Sequence, residues 1–496
     1  MEDLLKRLKT KLRSANMILD DAEEKQLTNQ AVKEWLDDLK EVVFRAEELT
    51  DKINYEVLRR KLEGASVSFS SFATFDKVEQ EIEEIESKVE ELTAQKDKLG
   101  LKELTESIVS KRSHGAPLVL ESEVYGREDD KEAIMKLMLS DENCGDKIPV
   151  VIPVVGMGGI GKTTLAQLVY NDQRVKNHFQ IRVWVTISTQ FDVFYVTKQI
   201  FKEVTSREFG SKELSLLQGE LSMALKGKKF LFVLDDVWTE EYLLWDELRG
   251  PFKFGASGSK ILITTRSSNV ASTMSRVKAH TLIGLSYEFC WMLFIHHAFE
   301  NEDLLIVYPE QRKIGEEIVR KCRGLPLAVK SVAALLRSIP LDEWRLILES
   351  QIWDLKLQEH ASKYVLPALW LSYRHLSLQL RRCFAYCSIF PKDYIFYKEE
   401  VTLLWIGEGL LEPRGGTRME DVAEEYFKTL ISWSFFQLSF HYERFNVSNF
   451  IMHDCVHDLA TFVLGDFGFL LDGNLYNLSR KTRHFSFRSK QIHGLE

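Results

Sequence analysis

The chain has 496 residues, of which 45% are hydrophobic and 28% charged, which is enough for three or four domains with cores of their own. Its net charge of −9 excludes a dominant basic surface, so we expect no nucleic-acid partner. The six cysteines are scattered and their spacing shows no disulfide framework. The first residues are acidic, unlike a signal peptide, and no apolar run is long enough to cross a bilayer. Together these features predict a cytoplasmic protein.

Three amphipathic helices are predicted in the first 100 residues, because apolar side chains recur there in steps of three and four. The three stripes are Leu5, Leu8, Leu12, Ala15, Leu19 and Ala22; Trp35, Leu39, Val42, Ala46, Leu49 and Ile53; and Val78, Ile82, Ile85, Val89 and Leu92. Since the opposite faces are charged, the helices must pack together or pair with another chain. We place a helical bundle at 1–100 and a linker at 101–123.

The most specific motif follows a strand predicted at Val150–Val155. Its glycines and lysine have the spacing of a phosphate-binding loop, where backbone N–H groups, the lysine and the next helix N-terminus bind phosphate oxygens. Thr163 would complete the shell of a Mg²⁺ ion. Pro153 has no N–H and should lie where the sheet needs none. The predicted loop residues are Gly156, Gly158, Gly159, Ile160, Gly161, Lys162, Thr163 and Thr164.

Further strands indicate a parallel α/β domain, which we place at 124–285. They are predicted at Ile181–Ile187, Phe230–Leu234 and Lys260–Thr265. The second of them delivers Asp235 and Asp236, as a Walker B strand does, and Asp235 would hold Mg²⁺ directly or through water. The third ends at Arg266, which is placed to meet a γ-phosphate. Asp235, Asp236 and Arg266 are therefore the candidate catalytic residues.

Beyond Leu285 the pattern becomes mainly helical. One helix ends before Gly324 and the next begins at Pro326, which is the usual distribution of glycine and proline at helix ends. A later helix and strand favour a winged-helix fold, although the acidity of that helix argues against DNA binding. The predicted ranges are 286–370 for a helical domain, 371–475 for a winged-helix domain, Ile314–Lys321 and Glu399–Leu411 for helices, and Trp433–Leu438 for a strand.

Five motifs occur in a fixed order along the chain. They are the phosphate loop, Leu234–Trp238, Gly258–Arg266, Gly324–Leu327 and Met452–Asp454. In this combination the chain resembles plant nucleotide-binding leucine-rich-repeat immune receptors of the coiled-coil class over nearly its whole length. The resemblance implies a multidomain α and α/β fold: a helical signalling bundle, a P-loop parallel α/β domain, a helical domain and a winged-helix domain.

The resemblance also implies an ADP/ATP-dependent switch of innate immunity, with ADP bound at rest and ATP with Mg²⁺ in the active state. Exchange would release His453, let Arg266 sense the γ-phosphate and favour an oligomer. The further nucleotide-binding residues that it implies are Val124, Tyr125, Gly126 and Arg127 near adenine and ribose, Pro326 on the adenine, followed by Leu327, and His453 at the β-phosphate.

The partners implied are a pathogen effector or a guarded host protein, reached indirectly, and further copies of the chain on activation. Association with the plasma membrane is implied only for the active form. Two features depart from the family. The helix that usually precedes Leu4-Leu5-Lys6 is not found, and no repeats follow 476–496, which resembles the entrance to a repeat array. The acidic stretch Ala46–Asp51 would then lack its usual partner in the chain.

At most a slow ATPase is expected, because Asp236 stands where fast P-loop ATPases carry a catalytic glutamate. Two alternatives remain open: a P-loop ATPase of the motor or chaperone type, and a coiled-coil scaffold whose nucleotide is structural. A metalloprotease is a weaker alternative. His453 and His457 have the spacing of zinc ligands, but Asp454 replaces the glutamate that such enzymes need as general base.

Overall fold

The structure is a computed structural model that describes residues 22–23, 25–26, 29–62, 75–96, 98–101, 124–140, 149–187, 191–299, 309–354, 366–411, 417–438, 449–471 and 481–487. The first predicted apolar stripe from Leu5 to Leu19, the linker from 102 to 123 and most of 476–496 lie outside these residues. The chain forms two compact units. One consists of Met1–Val109, Leu357–Lys363 and Leu464–Glu496, and the other of Ser110–Lys356 and Tyr364–Val463.

The first unit contains helices α1 (Gln30–Leu62) and α2 (Phe75–Gln95). Both helices were predicted, and their apolar stripes meet in one buried core. The indole N–H of Trp35 donates to the carbonyl of Leu92 at 2.9 Å, which ties the two helices together at the buried end of their stripes.

The charged side of α1 contacts the C-terminal part of the same unit. Lys481 Nζ lies 3.0 Å from Asp38, and Arg483 lies 3.4 Å from Glu48 within the acidic stretch Ala46–Asp51. The expectation that this stretch lacks a partner in the chain is therefore wrong. Its partner lies 435 residues away, beside a strand that no local pattern connects with α1. The strands here are β9 (Gly468–Leu471) and β10 (His484–Phe487), which pair in parallel.

The second unit is built on a five-stranded sheet in the order β2-β3-β4-β1-β5, in which all neighbours are parallel. Its strands are β1 (Val150–Val155), β2 (Ile181–Thr186), β3 (Phe230–Asp235), β4 (Lys260–Thr265) and β5 (His280–Thr281). The first four were predicted from their apolar runs, and β5 is too short to show a pattern. Because the strands are parallel, their carboxyl ends lie along one edge of the sheet.

Pro153 occupies the position that its chemistry requires. Along β1, Val150 and Gly156 donate their N–H groups to residues preceding and ending β4, so the residues of even number face β4. The nitrogen of Pro153 therefore faces β5, whose pairing with β1 begins only at Val154. No hydrogen bond of the ladder is lost, as predicted.

Helices before, between and after the strands of the sheet complete this part of the unit. They are α3 (Glu128–Leu139), α4 (Lys162–Asn171), α5 (Gln173–His178), α6 (Val193–Thr205), α7 (Leu214–Leu225), α8 (Tyr242–Arg249) and α9 (Ser268–Met274). The apolar sides of α6 to α9 share a core with the sheet, as the buried Ile200, Leu221 and Trp245 illustrate. The sheet is thus a rigid support for the residues at its carboxyl edge.

The remainder of the unit is mainly helical and carries a small antiparallel sheet in the order β6-β8-β7. Its helices are α10 (Tyr287–Ala298), α11 (Pro309–Lys321), α12 (Pro326–Ser338), α13 (Trp344–Glu349), α14 (Pro367–Arg374), α15 (Leu378–Tyr386), α16 (Lys398–Gly407), α17 (Met419–Ser432) and α18 (Asp454–Leu464), and its strands are β6 (Phe396–Tyr397), β7 (Gln437–Leu438) and β8 (Asn449–Ile451). Among the described residues, no helix has both the length and the apolar composition of a membrane span.

Two elements of this region differ from their predicted bounds. The helix predicted at Glu399–Leu411 ends earlier, because Gly409 adopts a left-handed conformation with a φ of +64°. The strand predicted at Trp433–Leu438 is wrong over its first four residues, since Trp433 follows α17 as its C-cap and only the last two residues pair. The aromatic residues of this segment suggested a strand, but the first of them are buried in the core directly after the end of α17.

Candidate functional site

The predicted phosphate loop connects β1 to α4 at the carboxyl edge of the sheet. Gly159 and Gly161 have positive φ values of +77° and +99°, which L-residues rarely adopt. A Cβ on Gly158 would lie 2.7 Å from Cys455 Sγ, and one on Gly159 would lie 2.7 Å from the side chain of Leu327. The glycines therefore allow both the loop conformation and the close approach of two later parts of the chain.

Lys162 and Thr163 open α4 at the end of this loop. Lys162 is only 6% exposed, and burial lowers the pKa of its ammonium group. Its Nζ donates to the carbonyl of Met157 at 3.2 Å, so the ammonium lies against the loop. The hydroxyl of Thr163 donates to Asp235 Oδ1 at 3.1 Å. Ile160 is buried beneath the loop, while Thr164 is half-buried in the first helical turn.

Both acids at the end of β3 are held by the neighbouring strand. The hydroxyl of Thr264 donates to Asp235 Oδ1 at 2.5 Å and accepts the N–H of Asp236 at 2.8 Å. Burial raises the pKa of Asp235, although both hydroxyl bonds oppose this effect. Asp236 has a φ of +54°, and its Oδ2 accepts the indole N–H of Trp238 at 3.0 Å. The two carboxyls therefore point into different hydrogen-bond networks.

Arg266, which follows β4, forms an ion pair with the first residue of α18. Its Nη2 lies 2.6 Å from Asp454 Oδ2, and the two side chains are 18% and 5% exposed. Burial and a hydrogen bond with Asp454 raise the pKa of Asp236 to about 8. The pKa of Asp454 is held below its ordinary value, because the bond from Asp236 and the charges of Lys392 and Arg266 outweigh burial. At neutral pH the two carboxyls therefore share one proton, and Asp454 is the ionised member.

This shared proton predicts a dependence of stability on pH. Asp236 is ionised in the unfolded chain at pH 7 but keeps its proton in the folded chain until the pH passes about 8. The folded state thus binds more protons, and its stabilisation is lost as the pH rises through that value. We expect the free energy of unfolding to fall by about 1 kcal/mol between pH 7 and pH 9. Urea titrations should show this slope.

The same titrations, carried out on two variants, test whether Asp236 is the group that titrates. Asp236→Asn removes the titrating group and should flatten the slope between pH 7 and pH 9. Asp129→Asn, on an exposed side chain in α3, should leave the slope as in the wild type. Equal slopes in wild type and Asp236→Asn would contradict a protonated Asp236.

The segment predicted to lie near adenine contacts the loop from a third direction. The guanidinium of Arg127 donates to the carbonyl of Ile160 at 2.8 Å and to Asp130 at 2.9 Å. Asp130 in turn lies 2.7 Å from His280 Nε2 on β5. Val124 and Tyr125 are half-buried, and the Tyr125 ring centroid is 6.3 Å from that of His296 on α10.

Gly126, between Tyr125 and Arg127, should be intolerant of a side chain. Its φ is +66°, and a Cβ there would overlap the ring of Phe289. We expect Gly126→Ala to lower the free energy of unfolding by about 2 kcal/mol. Gly219→Ala is the control, because this glycine lies inside α7 with open space at its Cβ position and should raise stability by about 0.5–1 kcal/mol. Equal effects in chemical denaturation would contradict the steric argument.

Pro326, Leu327 and His453 reach the site from the helical and winged-helix regions. Pro326 begins α12, and the N–H of Leu327 donates to the carbonyl of Gly159 at 3.3 Å. His453 Nδ1 accepts the N–H of Cys455 at 3.1 Å, and burial lowers the pKa of the imidazole to about 4. The imidazole is therefore neutral at pH 7, with its proton on Nε2.

The geometry of His457 does not match the metalloprotease alternative. His457 Nε2 lies 2.8 Å from the carbonyl of Phe390 and must donate to it, so that nitrogen is occupied. Within the described ranges, no group of three or more His, Cys, Asp or Glu side chains could hold a metal ion.

The structure adds site residues that the sequence reasoning did not select. Asp454, Trp238 and Thr264 lie within the five sequence motifs, so a signal existed, but their contacts could not be inferred from spacing. For the others we find no sequence signal, because each acts through a neighbour distant in sequence. These additional residues are Asp130, Trp238, Thr264, Phe289, Lys392 and Asp454.

Models of three protein families match three successive parts of the chain. The NB-ARC domain model matches residues 127–304, the Rx N-terminal domain model matches 1–73, and the model of the disease resistance protein winged helix domain matches 389–460. The last of these confirms the predicted winged-helix fold.

Curated relatives are similar over almost the whole chain. It is 42% identical over 508 residues to the putative disease resistance RPP13-like protein 1 of Arabidopsis thaliana, covering 98% of this chain and 47% of that protein. It is 36% identical over 469 residues to the disease resistance protein RGA2 of Solanum bulbocastanum, covering 93% and 47%. The chain thus spans about half the length of these relatives. The predicted resemblance is confirmed: the chain contains an NB-ARC domain, which is a nucleotide-binding domain, and an Rx N-terminal domain, and it is similar over almost its whole length to plant disease resistance proteins.

Proposed function

We propose that this chain contains the ADP/ATP switch of a plant immune receptor, with ADP bound at rest and ATP with Mg²⁺ in the active state. The observation that carries the proposal is the ion pair of 2.6 Å between Arg266, at the carboxyl edge of the sheet, and Asp454 at the start of α18. It joins the phosphate-binding edge to the winged-helix domain through one buried charge pair. A γ-phosphate at this edge would compete with Asp454 for the same guanidinium.

In the resting state, different residues of the site would bind different parts of the nucleotide. The loop N–H groups and Lys162 would bind the phosphates, as the strand-loop-helix context favours. The segment Val124–Arg127 would border adenine and ribose, with Pro326 and Leu327 on the opposite side. The neutral His453 can donate its Nε2–H to a β-phosphate oxygen. This last bond would hold the winged-helix domain to bound ADP.

A Mg²⁺ ion fits the oxygen donors of Thr163 and Asp235, which lie 3.1 Å apart at the end of β3. When bound, the ion would neutralise charge on the β- and γ-phosphates. Asp236 is a poor general base for water, because it stands where fast P-loop ATPases carry a longer glutamate and its carboxyl already bonds Asp454 and the indole N–H of Trp238. Hydrolysis, if it occurs at this site, would therefore be slow, which suits a switch better than a motor.

Nucleotide exchange alone is not expected to supply enough free energy to switch the chain from one state to the other. Moving a two-state equilibrium from 1:99 to 99:1 requires about 5.5 kcal/mol of differential binding. We infer that ATP acts together with a second event that loosens the winged-helix domain. A pathogen effector or a guarded host protein would supply it, after which the chain would self-associate and reach the plasma membrane.

The direct test is to identify the nucleotide released from purified wild-type chain and to record particle mass before and after exchange into ATP with Mg²⁺. Stoichiometric ADP, together with a larger particle after exchange, is the expected result. Rapid multiple turnover of ATP would instead favour the motor or chaperone alternative. ADP that never exchanges, at constant mass, would favour a scaffold with a structural nucleotide.

A further inference from the structure

Trp238 lies beside the switch, and no contact with nucleotide is assigned to it above. Its indole N–H donates to Asp236 Oδ2 at 3.0 Å. Two cations also lie near its ring: Arg266 Cζ is 4.7 Å and Lys392 Nζ is 5.5 Å from the ring centroid. Both distances are within the range of a cation–π interaction.

The two cations come from different parts of the unit. Arg266 follows β4 of the sheet, whereas Lys392 precedes β6 in the winged-helix region. Lys392 Nζ also lies 2.6 Å from Asp458, on the helix α18 that begins with Asp454. If the winged-helix domain moves away, Lys392 and Asp454 leave together, while Trp238 and Arg266 stay with the sheet.

The backbone that carries Trp238 is fixed to the sheet. The N–H of Val237 donates to the carbonyl of Thr264 at 2.8 Å, and the hydroxyl of Thr265 donates to the carbonyl of Val237 at 2.7 Å. The ring is therefore a fixed surface on which the two cationic side chains rest.

Arg266 is restrained from few directions. Its Nε is buried without a hydrogen-bond partner in the described part of the chain and lies 3.9 Å from the Asp236 carboxylate. Besides packing of the guanidinium against Gly158, the ring of Trp238 and the carboxylate of Asp454 are the contacts that orient it. Removing the ring would let the guanidinium turn away from Asp454.

We propose that Trp238 is a positioning residue that aims Arg266 at Asp454 and, through Lys392, couples docking of the winged-helix domain to the sheet. This inference rests on the proposed switch. It assigns the tryptophan a role in holding the ADP-bound state closed, separate from any contact with nucleotide. Loss of the ring should therefore accelerate the release of ADP without a change in the groups that bind it.

The test is the release rate of a fluorescent ADP analogue from the full chain. We expect Trp238→Leu to release it about tenfold faster than wild type, as loss of a partly desolvated cation–π contact predicts. Trp238→Phe keeps a ring and should stay within about threefold of wild type. Trp184→Leu is the matched control, because this half-buried tryptophan on β2 packs on Tyr170, away from the switch. It should release the analogue at the wild-type rate.

A double-mutant cycle separates coupling from general loosening. Lys392→Gln alone should accelerate release about threefold, and its effect should be smaller in the Trp238→Leu background, where only its ion pair with Asp458 remains to be lost. Multiplying effects, or a wild-type rate in Trp238→Leu, would overturn the assignment. Wild-type chain that binds no adenine nucleotide would overturn the proposed switch instead, so the two failures are distinguishable.

Discussion

A chain carrying Asp454→Val is expected to lose its bound ADP and to form larger particles in ATP. The substitution leaves Arg266, which is 18% exposed, without its partner at 2.6 Å, and removes the carboxyl that shares a proton with Asp236. Removing one member of a buried ion pair costs about 3–5 kcal/mol. This corresponds to a factor of about 10² to 4 × 10³ in the equilibrium between docked and released winged-helix domain. Nucleotide content and particle mass are the measurements.

The matched control removes both members of the pair. Arg266→Met with Asp454→Leu leaves no unpaired charge, so docking and ADP retention should return toward wild type. The same double variant should fail to gain mass in ATP, because the proposed sensor of the γ-phosphate is absent. ADP retention in Asp454→Val equal to that of the wild type would show that the pair does not hold the domain.

Lys162→Arg is expected to weaken ADP binding by at least about a hundredfold, since two charge-assisted hydrogen bonds of about 1.5 kcal/mol each would be lost. Lys162 is 6% exposed and its ammonium group already lies against the loop carbonyl of Met157. A planar guanidinium is larger and cannot act as the same compact charge. Calorimetric titration of nucleotide-free chain with ADP measures the change.

A conservative exchange elsewhere separates this effect from a general response to arginine. Lys176→Arg alters an exposed lysine near the end of α5 and should leave the dissociation constant for ADP unchanged. If Lys162→Arg bound ADP within threefold of wild type, the loop would not hold phosphate as proposed.

The sheet could be predicted because each of its long strands is dominated by apolar and β-branched side chains. Spacing alone also selected the loop glycines, Lys162 and Thr163, since the chemistry of phosphate binding fixes their order. The prediction was wrong where an apolar run served another purpose, as at Trp433, which packs after a helix. Periodicity reports which side chains are buried, and it reports less reliably which backbone conformation buries them.

The contacts on which the proposed switch depends could not be predicted. Arg266 and Asp454 are 188 residues apart, and their pairing depends on how the winged-helix region docks on the sheet. The raised pKa of Asp236 likewise needs both burial and a neighbouring carboxyl from α18. The motif containing Asp454 could be recognised, but the partner of its carboxylate is a property of the folded unit.

The separation of 188 residues between Arg266 and Asp454 also sets a delay between the synthesis of the two residues. At a synthesis rate of about 5–20 residues per second, α18 leaves the ribosome roughly 10–40 s after the end of β4. During that interval the nascent sheet can fold and meet nucleotide while α18 does not yet cover its phosphate loop. In the proposed switch, the first nucleotide bound would therefore be set by cellular abundance during translation, before the element proposed to discriminate between ADP and ATP has been made.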